Sequence, residues 1–255
     1  MPGTTLYQNC YYAMFNNCTS LETAPEIPVA TVPASNYNCC QAMFKGCTSL
    51  TTPPSLLSFN MRQNNCREMF MNCSSLTRTP TLNRGSVGSH CYDSMFYGCT
   101  SLTTVSTLPA TTLNGYAYES MFYGCTSLTT APELPATNLN SYTCCYQNMF
   151  RGCTSLVNAP STLPATTLAA SCYQYMFYNC TSLVNPPAAI SATTIPGSAL
   201  RGMFYGCSKL ESTPTVTIGA LASNNNCYQM FYNCATLKYN NVTITATTTL
   251  SQCYY

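Results

Sequence analysis

Nineteen cysteines, one histidine and seven acids are the residues of this 255-residue chain with the means to hold a metal, attack an electrophile or move a proton. The cysteines are regular. One stands four residues after the Met of each Met-Phe dipeptide: Cys18, Cys47, Cys73, Cys99, Cys125, Cys153, Cys180, Cys207 and Cys234. Cys10, Cys40, Cys66, Cys91, Cys145, Cys172 and Cys227 stand three or four residues before the Met. The two members of a pair are about eight residues apart, on the order of 12 Å along a helix, too far for a disulfide. Zinc sites use close Cys-x₂₋₄-Cys pairs that complete a tetrahedron, and regular ladders with one His supply neither. The expectation is two ladders of reduced, buried thiols, with Cys acting as a small hydrophobe. Some disulfides stay open as an alternative, through Cys39 and Cys144, the extra members of Cys-Cys pairs.

His90 has no partner in sequence for a nucleophilic triad and reads as a solvated imidazole between units. The acids Glu22, Glu26, Glu68, Asp93, Glu119, Glu133 and Glu211 are dispersed. Glu26 and Glu133 hold similar positions but in units that are not adjacent, so a glycosidase pair has no support. There is no Gly-rich phosphate loop and no dinucleotide fingerprint. The reading is a non-enzyme, with no catalytic residue, no metal ligand and no cofactor.

The element that sets these side chains in place is a repeat. Met-Phe occurs at Met14, Met43, Met69, Met95, Met121, Met149, Met176, Met203 and Met230, with spacings of 29, 26, 26, 26, 28, 27, 27 and 27 residues. A near-constant period over the whole chain leaves no room for a second domain, so residues 1–255 read as one solenoid. In "LPATTLNGYAYESMFYGC", Leu113, Ala117, Met121, Phe122 and Cys125 fit one face of a short helix. Gly124 follows, matched by Gly46, Gly98, Gly152 and Gly206, or by Asn17, Asn72, Asn179 and Asn233. Gly and Asn are the two residues that best accept a left-handed turn. In "CTSLTTAPELP", Leu128 and Ala131 point one way and the threonines away, as in a very short strand ended by Pro132. Pro25, Pro80, Pro160, Pro187 and Pro214 fall at the same place. A strand this short is marginal alone, but stacked copies form a parallel sheet. The expected class is α/β, a leucine-rich-repeat solenoid of about nine units, each a short parallel strand, a turn and a short helix.

The text "MFxGCTSL" resembles the "AFxxCxxLxxI-LP" unit of the BspA-like leucine-rich repeats. The matching residues include Phe96, Cys99 and Leu102, or Phe122, Cys125, Leu128 and Ala131. That family occurs in surface proteins of gut and oral bacteria and in proteins of phages that infect them. The resemblance covers essentially the whole chain and implies binding of other molecules. It also implies an extracellular, cell-surface or virion location. One departure is that Pro132 directly follows Ala131, where the family's strand usually continues apolar to its Pro; it implies a short sheet.

Two repeated surface features are candidates for contact. Tyr follows Met-Phe at Tyr97, Tyr123, Tyr178, Tyr205 and Tyr232, and a second set precedes Met by three at Tyr11, Tyr92, Tyr118, Tyr146 and Tyr173. Both sets are expected outside the helix layer. They either cover the edge of the core or form an aromatic stripe for glycan or protein contact. Thr103 and Thr129, with Thr51 and the neighbours Thr23, Thr52, Thr104 and Thr130, line the sheet. They serve β propensity and solubility, or a polar sugar surface. Val157, Asn158, Lys238 and Tyr239 break the regularity an ice-binding face needs.

Charged residues are 6% of the chain and the net charge is +2, too small a balance to argue for nucleic acid. No stretch approaches the roughly 18–20 apolar residues of a spanning helix, so no membrane insertion is expected, and the N-terminus does not read as a secretory signal. The first residues, "MPGTTLYQNCYY", and the last, "TATTTLSQCYY", both match the same half-unit. Neither looks like a polar cap. The expected partners are therefore a protein or glycan surface, or further copies stacked end to end as a homo-oligomer or filament.

Overall fold

The computed structural model describes residues 5, 7–27, 37–56, 63–82, 87–139, 143–192, 194–218, 220–221 and 225–245. Of the two matching terminal half-units, residues 5 and 7–12 of the first and residue 245 alone of the last are described, so the expectation for the C-terminal end lies outside the described structure.

The repeat is a solenoid of parallel ladders, and the expected helix is not part of it. No helix is present among the described residues, and so none long and apolar enough to cross a membrane. The segment around each Met-Phe is instead a chain of tight turns. In the unit of Met43, the amides of Gln41, Met43, Lys45 and Cys47 donate to carbonyls three residues back. The amides between them turn sideways: Cys40, Ala42, Phe44 and Gly46 donate to Asn65, Arg67, Met69 and Met71 of the next unit, at 3.1, 2.8, 2.9 and 2.8 Å. The alternation needs a left-handed residue at every fourth position. Asn38, Ala42 and Gly46 have φ of 58°, 54° and 74°, and Tyr116, Ser120 and Gly124 repeat this with 60°, 51° and 70°. A left-handed residue costs about 1–2 kcal/mol when it carries a Cβ. The sideways hydrogen bonds, at about 0.5–1.5 kcal/mol each, and the apolar surface they bring together offset that cost. The Gly or Asn expected at the turn is left-handed in each unit.

The apolar face read for a helix is nonetheless the core. Leu113, Ala117, Met121, Phe122 and Cys125 are all buried. Successive Phe rings form one stack from Phe15 to Phe231, with centroids 5.4–5.6 Å apart. The turn cysteines form the expected ladder of free thiols. From Cys47 to Cys234 each donates its S–H to the carbonyl of the preceding unit's Phe, as Cys73 to Phe44 at 3.1 Å and Cys99 to Phe70 at 3.1 Å. Cys39 and Cys144 are free as well.

The chain then crosses to a second ladder. Thr23 bridges Thr52, Arg78 bridges Thr104, and Thr130, Asn158 and Asn185 bridge in series, all parallel. Ala131 donates to the Asn158 carbonyl at 2.9 Å. Pro132, having no N–H, stops the pairing there, so the sheet is as short as the early proline implies. Leu128 and Ala131 are buried, and Thr129 and Thr130 are exposed. Further ladders follow the proline. Strand β1 (Asn138–Leu139) pairs in parallel with β2 (Thr167–Leu168). Strand β3 (Ala189–Ile190) pairs with β5 (Thr215–Ile218), which pairs with β7 (Val242–Ile244). Strand β4 (Thr194–Ile195) pairs with β6 (Ala220–Leu221). In β1, β2 and β4 the Leu or Ile is buried while the residue before it is exposed.

Candidate functional site

The residue after each Met-Phe lies between a stacked Phe and a left-handed turn residue, which leaves it at the surface. Tyr97, Tyr123, Tyr178 and Tyr205 are half-buried there, and Tyr232 is exposed. The rungs bring them into register. Tyr97 stacks on Tyr123 at 4.5 Å, Tyr178 on Tyr205 at 4.5 Å, and Tyr205 on Tyr232 at 5.0 Å. Arg151 occupies this position in the intervening unit. Its guanidinium carbon is 5.7 Å from the Tyr123 ring centre and 4.3 Å from that of Tyr178. The column is thereby continuous from Tyr97 to Tyr232. Stacking covers the ring faces and leaves edges and hydroxyls for contact. Burial, and then the neighbouring Tyr123, raise the Tyr97 phenol above its ordinary value, so its hydroxyl keeps its proton at neutral pH.

A second strip lies beside the column. The Tyr175 ring meets Tyr178 edge to face at 5.6 Å and 89°. Arg151 and Arg201 both approach it, at 5.4 and 5.7 Å, and Arg201 also lies 5.4 Å from Tyr228. Gly202 makes room for this ring: a Cβ there would stand 2.5 Å from two Tyr175 ring carbons.

The second tyrosine set is not a surface feature. Tyr92, Tyr118, Tyr146 and Tyr173 are fully buried and stacked on one another at 5.5–5.9 Å; Tyr11 is partly buried. The turn chain faces them inward, where a helix would have turned them out. Thr103 and Thr129 are exposed on the strand ladder and are not part of the tyrosine column. Thr103 donates its hydroxyl to the Thr77 carbonyl at 3.2 Å, which ties it to the previous rung. Beside them Asn158 donates to the Thr130 hydroxyl at 3.2 Å and Asn185 to Asn158 at 2.6 Å.

The acids are less dispersed than they read. Asp93 and Glu119 both stand two residues before Met in adjacent units, and the solenoid stacks them. His90, Asp93 and Glu119 bring one ligand atom each within 4.8 Å of one another. His90 Nδ1 lies 3.1 Å from Asp93, Arg67 Nε 3.2 Å from the same oxygen, and Ser94 donates to its other oxygen at 2.8 Å. His90 is also fixed by stacking on Tyr116 at 4.5 Å. Burial, then the Asp93 charge, push the Glu119 carboxyl up to about 7, against the pull of Arg67. Arg67 already answers the Asp93 charge, so the group reads as an ion-pair network joined to Lys45–Glu68 at 2.7 Å. Aligning units by their Met would have found it. Glu26 and Glu133 tie neighbouring rungs together. Each carboxylate accepts the amide of a Ser in the next unit, Ser55 at 3.5 Å and Ser161 at 2.9 Å.

The sequence model of a family described as "BspA type Leucine rich repeat region" matches six copies over residues 9–149 and 136–255. No curated protein matches the chain. Among solved structures, the chain is similar to a leucine-rich repeat protein of T. pallidum, at 21% identity and TM-score 0.43, over 72% of each chain. It is also similar to a leucine-rich repeat protein of Bacteroides ovatus, at 16% identity and TM-score 0.38, over 92% of this chain and 77% of that one. A third is a leucine rich cell surface protein of Faecalibacterium prausnitzii, at 19% identity and TM-score 0.30, over 93% and 76%.

Proposed function

Because the chain belongs to the BspA-type leucine-rich-repeat family, we propose that it is a non-enzymatic recognition module. It reads as a stack of about nine units that acts outside the cell, on a cell or virion surface, and adheres to a protein or glycan surface. The observation that carries this reading is the column Tyr97–Tyr123–Arg151–Tyr178–Tyr205–Tyr232, in which half-exposed aromatic edges recur on successive rungs. Tyrosine combines apolar area with a polar tip and loses little freedom on contact. Nothing in the fold requires tyrosine at these positions, since Asn16, Lys45 and Met71 occupy them in the first units. The test is binding of the full chain to immobilised glycans and host-cell layers. Tyr178→Ala with Tyr205→Ala should weaken binding about tenfold or more while leaving the urea midpoint nearly unchanged. Unaltered binding would remove the column from the site.

A second reading is a structural subunit assembled end to end. A head-to-tail contact that does not close gives a fibre. Sedimentation velocity over a wide concentration range decides it: growth into rods supports assembly, and one species of about 28 kDa at every concentration rejects it.

A further inference from the structure

Resting on the recognition reading, we infer that the surface around Arg151 and Arg201 takes a linear acidic polysaccharide, a chain of carboxylate-bearing sugars. Two observations beyond the tyrosine column point there. The first is unspent positive charge. Among the described residues, neither guanidinium meets a carboxylate; the ion pairs involve Lys45, Arg67, His90 and Lys238 only. Arg151 makes one long hydrogen bond, to Asn148 Oδ1 at 3.4 Å. The Nε of Arg201 is buried and has no acceptor. A guanidinium offers five donors in a planar fork suited to a carboxylate, and most of this capacity is unused.

The second is that the two arginines are held in place. Both approach the Tyr175 ring from neighbouring rungs. That ring is set over Gly202, the one residue of its column without a side chain to displace it. Cation–π contact fixes the direction of a guanidinium without consuming its in-plane donors. The strip Tyr178, Arg151, Tyr175, Arg201 and Tyr228 is therefore a positive, aromatic surface whose guanidinium charge is not answered by any carboxylate among the described residues.

Rung spacing selects a sugar polymer over an acidic peptide. Successive rungs of a ladder are about 4.8 Å apart, close to the length of one pyranose residue, so a polysaccharide lying along the column presents one sugar per rung. An extended peptide advances only about 3.3 Å per residue and falls out of step. Sugar hydroxyls meet the tyrosine hydroxyls, and carboxylates meet Arg151 and Arg201.

The test uses the full chain and three probes: an oligogalacturonate, the same oligomer with its carboxyls reduced to alcohols, and polyglutamate of equal charge. Isothermal titration should show the oligogalacturonate bound about tenfold or more tightly than its neutral counterpart, with affinity falling as salt rises. Arg151→Gln with Arg201→Gln should bring the acidic oligomer down to the level of the neutral one. Gly202→Ala, which displaces Tyr175, should reduce the same preference, and a thermal scan of each variant separates this from misfolding. Equal binding of the acidic and neutral oligomers, no binding of either, an unchanged double-arginine variant, or preference for polyglutamate would each overturn the proposal. Surface binding that depends on Tyr178 and Tyr205 and survives the double-arginine variant would overturn acidic selectivity alone and leave the recognition reading standing.

Discussion

Phe150 lies on Phe122 with ring centroids 5.6 Å apart and planes 6° from parallel, although the two belong to different units. Each inner Phe has such a neighbour on both sides and is fully buried. Phe122→Ala removes a buried ring and two stacked contacts, and should cost about 3–5 kcal/mol in urea unfolding. Phe15→Ala, at a partly buried end of the column, should cost clearly less. Equal costs would show that the stack is not the core of the molecule.

The left-handed turn residues give a test that a helix would answer with the opposite sign. Ser120 has φ of 51° and is half-buried. In a left-handed position, Ser120→Gly relieves the Cβ penalty and should stabilise by about 0.5–1 kcal/mol. In a helix the same change would destabilise by several tenths of a kcal/mol. The shift in urea midpoint decides between them.

The thiol ladder sets an alkaline limit. Burial pushes Cys73 and Cys153 up to about 12 from an ordinary 9. A folded-state value above the unfolded one means the unfolded chain loses its proton first. Stability is therefore fully present below about pH 9 and is lost as pH rises toward 12. Chemical denaturation between these limits should show a falling midpoint, steeper than in a variant with several inner cysteines changed to Ala. At neutral pH an alkylating reagent should modify the exposed Cys10 and Cys18 well before the buried Cys73, Cys99, Cys125 and Cys153.

Asp93 receives Arg67, His90 and Ser94 and is 5% exposed. Asp93→Asn keeps the shape but removes the charge that Arg67 and His90 address, and should cost about 1–3 kcal/mol. The loss should shrink when Arg67→Gln is already present, because the two residues share one interaction. Additive losses would show that the contact contributes nothing.

The period, the buried face and the parallel stacking were legible in the sequence because Phe122, Cys125 and Leu128 repeat without variation of kind. The turn chain was not. Its marker residue, Gly124 or Asn, signals one left-handed position, but Ala42, Glu68, Ser120 and Tyr175 hold another and carry no such signal. Their backbone is dictated by the neighbouring rung, a tertiary effect that no local propensity records. The same reason turned Tyr118 inward while Tyr123, five residues on, was placed correctly at the surface. Arg151 stands at the same offset from Met as Tyr123 and Tyr178, but a cation replaces a ring there, and its contact with both rings shows only in the stack.

The sideways amides of the turn chain donate to the next rung, as Phe44 to Met69, while some strand amides donate to the preceding one, as Thr103 to Thr77, so every inner rung meets its neighbours through the same pattern. A whole rung is therefore an interchangeable bead. Excising one period around Arg151 would let the Tyr123 rung close directly onto that of Tyr178, preserving the aromatic track while erasing its charge. Inserting a second copy would double that charge one step along. Length and charge register can thus be edited by repeat number alone, without redesign of any contact inside the stack.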